Sequence, residues 1–466
     1  MKALRPPNCG AAARNLAPGG GDGFGDVVLQ CSWAHVASVL QRWVAKQARP
    51  VSLRQLMFFG RSLTEPRLLS SANYVRTELP TRLSHRIRDM QLLPYMVVSN
   101  PHIADVYNMY WNAFDTFRKV KEIKTLEDND NFCKIISQML KSHLTVIPKL
   151  AMGVLESSAL MDQDELNKFM NRILQSRISR RVIAEQHLAL TDGFSKKHRH
   201  HYHHLHHHDH YHNSSSASCS LVDPDFVGNV LVKCVAKDVV ERCGAAVKEL
   251  ARSAHGPDVA LPEIQIEGDL GASFPFILSH LEYIIGELLR NSVDAVVERT
   301  TTAAAKNQTR QLPPPPIEVT ICESTQHVIV RVSDQGGGIP RDMLPYLWSF
   351  SKGPHSERLL GNLGKVPKLS ATLQEVRVEA DYNYHRPELQ GGTTKSSSSS
   401  LSSLSSRPPN LRLGIGLPLS RVYAEYWAGS LELHSLEGYG VDVFLQISKL
   451  GNKNEQLTTR ASMDAV

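Results

Sequence analysis

Three short motifs in the C-terminal half carry residue types that could do chemistry together. In ELLRNSVDAVVE, Glu287 and Asn291 stand four residues apart, a spacing that puts both on one face of a helix. A carboxylate there can accept a proton, and a neighbouring carboxamide oxygen can help hold Mg²⁺. In SDQGGGIP, Asp334 follows an alternating run that ends at Val332. A carboxylate at a strand end can accept a hydrogen bond from an exocyclic amine. Gly336, Gly337 and Gly338 carry no Cβ, so the backbone can approach a flat ring closely. In LRLGIGLPLSRVYAEYWAG, Gly414 and Gly416 precede a helix with Pro418 near its first turn, a favoured place for proline. Free N–H groups and the helix dipole at such an N-terminus favour a phosphate.

Taken singly, each motif has a plain structural explanation. Glu and Asn four apart are often a solvated helix face, a glycine run is often a tight turn, and G-x-G is nonspecific. In this order, with a long loose segment between the second and third, they form a far rarer combination.

Residues that converge need elements to carry them. From about Ser52 to Leu190 the apolar positions repeat with helical spacing, as in Ile135, Ile136, Met139 and Leu140 after the polar break at Glu127 to Asn131. Phe169, Ile173, Leu174, Ile178, Val182 and Ile183 form another helical face. Prolines 80, 94, 101 and 148 are expected to punctuate these helices. The block over 46–194 is therefore predicted to be an all-α bundle. Later the period changes to two: Ile317, Val319 and Ile321, then Val328, Val330 and Val332, then Leu431, Leu433, Val443, Leu445 and Ile447. With helical patterns at Phe226 to Ala251 and Leu281 to Glu298, residues 221–450 are predicted to form an α/β layer, one mixed or antiparallel sheet covered by helices.

Two composition breaks interrupt the chain. Lys196 to Ser220 is rich in histidine and serine and reads as a solvated low-complexity insertion; its metal-ligand spacing is not specific. The second break runs from about Gly361 to Pro409. About the first 45 residues carry Lys2, Arg5, Arg14 and Arg42 against Asp22 and Asp26, which suits a mitochondrial presequence. Seven scattered cysteines without a C-x-x-C pair argue against a zinc site or a disulfide framework. No run approaches ~18 consecutive apolar residues, so no membrane span is expected. A net charge of +6 over 466 residues is no nucleic-acid signature.

The three ordered motifs are similar to the ATP-binding fold shared by gyrase, the heat-shock 90 chaperones, mismatch-repair ATPases and histidine kinases. Within it, SLTEPRLLSSANYVRTELP, ELPTRLSHRIRDMQLLPYMVVSNP, FMNRILQSRISRRVIAEQHLAL and GLPLSRVYAEYWAGSLELHSLEGYGVDVFL resemble the mitochondrial pyruvate and branched-chain 2-oxoacid dehydrogenase kinases. The resemblance covers about Ser52 to Leu450, apart from the two insertions. It implies an α + α/β chain: an N-terminal helical bundle, then an α/β-sandwich ATP-binding domain with a long lid over about 353–411 and a tail after 450.

The resemblance also implies roles. Glu287 would be the general base for a substrate serine and Asn291 the Mg²⁺ ligand. Asp334 would read adenine, with Gly336, Gly338 and Ile339 shaping its pocket. Gly414, Ile415, Gly416 and Leu417 would cradle the phosphates of ATP, and Asp294 would join the nucleotide site. The implied partners are the decarboxylase α subunit as substrate, the lipoyl-bearing core of the complex, and a second copy of the chain through the sheet domain. The implied compartment is the mitochondrial matrix. The sequence departs from the family at Arg412, where a glycine is usual, at Val441, where threonine is usual, and at Asp294, where arginine is usual.

Features divide over the substrate. Tyr283, the FPFI stretch, DPDFVG and a tail without Trp lean toward the branched-chain enzyme, whereas TLEDNDNF and VIPKLA lean toward the pyruvate enzyme, which is taken as the leading expectation. Two further readings remain. SHRIRDMQLLP, with His85, faintly resembles the phospho-accepting helix of histidine kinases. Arg412 and Val441 raise a non-catalytic, ATP-gated binding module.

Overall fold

The computed structural model describes residues 38–205, 225–306, 313–351 and 414–457. The first of these segments is helical. After α1 (38–44) come α2 (Leu53–Arg61), α3 (Glu65–Gln91), α4 (Tyr95–Val98), α5 (Pro101–Arg118), α6 (Leu126–Ser142), α7 (Val146–Glu156) and α8 (Gln163–Leu205). Local chemistry sets their starts. Ser52 with Gln55 and Thr125 with Asp128 close reciprocal capping boxes on α2 and α6. Asn100 accepts from the amides of His102 and Ile103, with Pro101 opening α5. Asp162 accepts from the amides of Asp164 and Glu165 at the start of α8. The predicted stripe from Phe169 to Ile183 on α8 is buried in the core shared with α3, α5 and α7.

The second half opens with a two-residue hairpin, β1 (Phe226–Val227) and β2 (Val230–Val235), and continues through α9 (Ala236–His255), β3 (Ile264–Gly268), β4 (Ser273–Phe276) and α10 (Leu278–Lys306). After β5 (Ile317–Glu323) and β6 (His327–Asp334) come α11 (Gly416–Tyr426), β7 (Ser430–Leu436) and β8 (Gly440–Ser448). The main sheet has the order β3-β5-β6-β8-β7. Only its β3–β5 pair is parallel among the described strands, so the sheet is mixed. Val319, Val332, Val443 and Leu433 lie in register across it and point to the helices. β1, β2 and β4 form a smaller antiparallel sheet.

Several expectations change. Phe226 to Val235 is strand, not the start of a helix. The β-branched Val227, Val230, Val232 and Val235 favour it, and Gly228 turns the chain at φ 62°. Pro80 does not punctuate but lies inside α3. The hydroxyls of Thr77 and Thr81 bond back to the carbonyls of Asn73 and Thr77 around it, while the buried Leu79, Leu83 and Ile87 hold the helix in the core. Residues 38–45, assigned to the presequence on composition, include α1, whose Leu40 is buried and whose Trp43 meets Phe114 edge-on. α8 continues to Leu205, into the histidine-rich tract. The rest of that tract, the expected lid, Arg412 and the tail after 457 lie outside the described residues.

Candidate active site

The helix α10 collects all three motifs. Its i, i+4 stripe reads Glu287, Asn291, Ala295, Arg299, and different residues of it meet different parts of the site. Glu287 is 3% exposed and faces the first turn of α11: a Cβ placed on Gly416 would stand 2.3 Å from Glu287 Oε2. Glycine leaves room there for the Glu287 carboxylate where it stands. Gly414, at φ 71°, turns the chain into that helix, with Ile415 as its N-cap and Leu417 following Gly416. The first-turn amides of α11 have no intrahelical acceptor. A carboxylate and a helix N-terminus thus adjoin.

Farther along α10, Ser292 donates its hydroxyl to Asp334 Oδ2 at 2.9 Å. Asp334 Oδ1 accepts from the Gly336 amide, also at 2.9 Å. Gly336 lies against Ala295, where a Cβ would come within 2.5 Å of the alanine methyl. Asp334 ends β6 opposite Val441 and is 5% exposed. Burial raises its carboxyl above the usual range; hydrogen bonds from Gly336, Ser292 and the Val441 backbone oppose that rise. Three donors leave capacity on an acceptor with about four lone-pair sites, enough for one exocyclic amine. From Glu287 to Ala295 is eight residues, about 12 Å of helix at ~1.5 Å per residue, a span on the scale of a nucleotide.

The glycine loop is fixed from beneath. Gly338, at φ 76°, packs on the Leu436 carbonyl, where a Cβ would stand at 2.3 Å. Arg299 donates to the carbonyls of Gln335, Gly438 and Tyr439 at 2.6, 3.2 and 2.8 Å. Ser435 accepts the Ile339 amide at 2.7 Å. Asn291 is exposed on the same stripe as Glu287, and Asp294 is half-buried one turn farther on. Among the described residues no group of three or more His, Cys, Asp or Glu is placed to share a metal ion. The carboxamide oxygen of exposed Asn291 is a hard oxygen donor of the kind Mg²⁺ takes alongside phosphates and water.

Known proteins match both halves. Residues 50–212 match the family model described as mitochondrial branched-chain alpha-ketoacid dehydrogenase kinase. Residues 277–450 match that of the histidine kinase-, DNA gyrase B- and HSP90-like ATPases. The mitochondrial pyruvate dehydrogenase (acetyl-transferring) kinase 2 of Saccharomyces cerevisiae is 31% identical over 448 residues, 90% of this chain and 85% of the yeast protein. The chain belongs to the mitochondrial 2-oxoacid dehydrogenase kinase family. The pyruvate dehydrogenase kinase of Arabidopsis thaliana is 29% identical, over 90% of this chain and 95% of its own length. Human isozyme 3 is 24% identical, over 90% of this chain and 87% of its own length. The second half is accordingly the ATP-binding domain of an ATP-dependent protein kinase.

Within this kinase, sequence reasoning missed Ser292, Ala295, Arg299, Arg290 and Ser435. Extending the Glu287–Asn291 spacing by two more turns would have reached Ala295 and Arg299. Arg290, one turn after Glu287, pairs with its carboxylate at 3.6 Å. Nothing in the sequence marks Ser435, which acts across the sheet. Val441 meets Asp334 through its backbone, so the missing threonine hydroxyl leaves that bond in place. His85 Nε2 is engaged by the carbonyls of Val44 and Lys46 at 3.0 and 2.9 Å, a poor setting for a phospho-acceptor.

Proposed function

We propose that this kinase phosphorylates a serine on the decarboxylase α subunit of pyruvate dehydrogenase in the mitochondrial matrix, and so inactivates it. What carries the reading is α10, which bears Glu287 against the first turn of α11 at one end and Ser292 and Ala295 against the Asp334 loop at the other. Relatives over about nine-tenths of the chain are pyruvate dehydrogenase kinases by name.

In this reading Asp334 accepts the adenine amine, Gly336, Gly338 and Ile339 line the ring, and Asp294 borders the nucleotide. Gly414, Ile415, Gly416 and Leu417 present backbone to the phosphates. Asn291 would hold Mg²⁺, which when bound neutralises phosphate charge. Glu287 takes the serine proton as the hydroxyl oxygen bonds to the γ-phosphorus and the bond to the ADP oxygen breaks. Arg290 holds the Glu287 carboxylate in place until then.

Purified full-length chain, assayed with labelled ATP and Mg²⁺, should transfer acid-stable phosphate to serine of the pyruvate dehydrogenase decarboxylase. Glu287→Gln should lower kcat about 10²- to 10⁴-fold, the range for a general base. Unchanged transfer by the folded variant would end the reading. Tyr283 and the description of the matching helical family favour a second reading, the branched-chain decarboxylase; a higher kcat/KM on that substrate would establish it.

The helical half offers a place for the lipoyl-bearing core. A cavity of about 1130 Å³ opens between α2, α3 and α8, lined by Leu56, Phe59, Val75, Ile183 and Leu190, with Phe58 at its rim. An apolar acyl arm suits it. The face of the main sheet away from the helices bears Ile329, Phe444 and the Arg331–Asp442 pair, which suits a homodimer. Sedimentation of the chain alone and with lipoylated or unlipoylated core domain tests both. A monomer, or equal binding of the two core forms, would remove the respective assignment.

A further inference from the structure

The segment after β8 crosses from the ATP-binding domain to the helical one. Arg54 donates its amide to the Gly451 carbonyl at 2.8 Å, and Ser52 and Asn454 form an isolated bridge. The Glu455 amide bonds to the Val51 carbonyl, and the Gln456 amide to the Tyr426 carbonyl, both at 2.8 Å. Residues 451–456 therefore bond α2 and its lead-in on one side and the end of α11 on the other.

At the centre of this crossing the Glu455 side chain is fully buried. Oε1 accepts from Arg82 Nη2 at 2.7 Å and from the Val51 amide at 3.1 Å. Oε2 accepts from Arg82 Nη1 at 3.2 Å and from the Tyr426 hydroxyl. Four donors fill the carboxylate's lone-pair sites. They come from three places: α3, the segment ahead of α2, and α11. Arg82 is itself buried and also bonds Glu78, Ser179 of α8 and the Arg49 carbonyl. Burial and the charge of Glu455 hold the Tyr426 phenol well above its ordinary range, so it remains a donor.

A buried ion pair is a costly way to join two surfaces, since apolar side chains would do so at least as well. What this one adds is direction: the four bonds are satisfied in one relative placement of α3 and α11. Tyr426 ends α11, and Gly416 begins it against Glu287. The helix is eleven residues long, about 16 Å. A shift at its far end therefore moves its first turn.

We infer that Glu455 is a positioning residue for phosphoryl transfer, setting α11 from its C-terminal end so that Gly416 and its neighbours meet the Glu287 carboxylate and the nucleotide phosphates. The inference rests on the proposed roles of Glu287 and Gly416, and goes beyond them in making the C-terminal segment part of the active-site geometry.

The test compares full-length wild type with Tyr426→Phe, Glu455→Gln and Glu455→Asp, each assayed where circular dichroism shows it folded. Tyr426→Phe removes one hydroxyl and keeps the buried ring. It should lower kcat/KM for MgATP at least tenfold while leaving KM for the decarboxylase within twofold. Glu455→Gln should do the same or more, and Glu455→Asp, which keeps the charge, should recover most of the loss. If Glu455→Gln fails to fold because Arg82 loses the Glu455 charge, Tyr426→Phe decides alone. Folded Tyr426→Phe with wild-type kcat and KM would reduce Glu455 to a stabilising contact and overturn the inference. Failure of the underlying reading looks different, because Glu287→Gln would then remain active.

Discussion

At the scale of single residues, the contact between Gly416 and Glu287 gives the sharpest expectation. Alanine at 416 would place a methyl 2.3 Å from Glu287 Oε2. The obstructed atom is the end of a side chain that can swing away, so the fold need not suffer. At a helical position alanine even favours the folded chain, by about 0.4–1 kcal/mol where the backbone fits. Gly416→Ala should therefore keep or raise the unfolding midpoint while kcat falls at least tenfold. A folded variant with unchanged kcat would show that the carboxylate need not hold this place. The glycine was legible in the sequence because G-x-G before a helix has a backbone meaning. Their contact was not, since nothing along the chain says that residues 287 and 416 touch.

At the scale of elements, the alternating runs at 317–321, 328–332 and 443–447 became β5, β6 and β8 because one face of each is buried against helices. The run at Phe226 to Val235 was misread for the opposite reason. Its two strands are short and only partly buried, so no clean alternation marks them. Pro80 was misread because packing of α3 outweighs local propensity. The stripe on α10 was half legible: Glu287 and Asn291 stood out by chemistry, whereas no motif marked Arg299. Its three bonds to loop carbonyls clamp the Asp334 loop to the β7–β8 turn. Arg299→Ala should weaken ATP binding several-fold and speed amide exchange at 335–338 and 437–440. Exchange there at the wild-type rate would exclude the clamp.

At the scale of the whole molecule, three buried histidines make stability depend on pH. Burial, reinforced by Arg180 and Arg177, lowers His143 to about 3. Burial lowers His187 to about 4, and burial with Arg181 nearby lowers His280 to about 3. All three stay neutral in the folded chain at pH values where unfolded histidine, near 6.5, takes up a proton. Their contribution is thus complete above 6.5 and is lost as pH falls toward the folded values. Each costs about 1.4 kcal/mol per pH unit in that window, so the three together remove about 4 kcal/mol between about pH 7.5 and 5.5. Among the described residues neither ring nitrogen of His280 has a hydrogen-bond partner, and its ring packs on Tyr423 and Tyr426. His280→Phe should be stable at pH 7.5 and lose about one third less on acidification, read from urea unfolding at the two pH values. Equal losses in both chains would contradict this.

The central claim is that α10 gathers Asp334, Asn291 and the Gly416 turn around one magnesium-bound nucleotide, and calorimetric titration of ATP into the full chain, with and without Mg²⁺, measures it most directly. Wild type should bind at one site and more tightly with Mg²⁺. Asn291→Ala should keep the Mg²⁺-free affinity and lose the gain, and Asp334→Ala should bind about 10- to 100-fold more weakly in both conditions, as expected for removing a hydrogen bond to a charged group. A folded Asp334→Ala chain that binds MgATP like wild type, or an Asn291→Ala chain with the full Mg²⁺ gain, would contradict it.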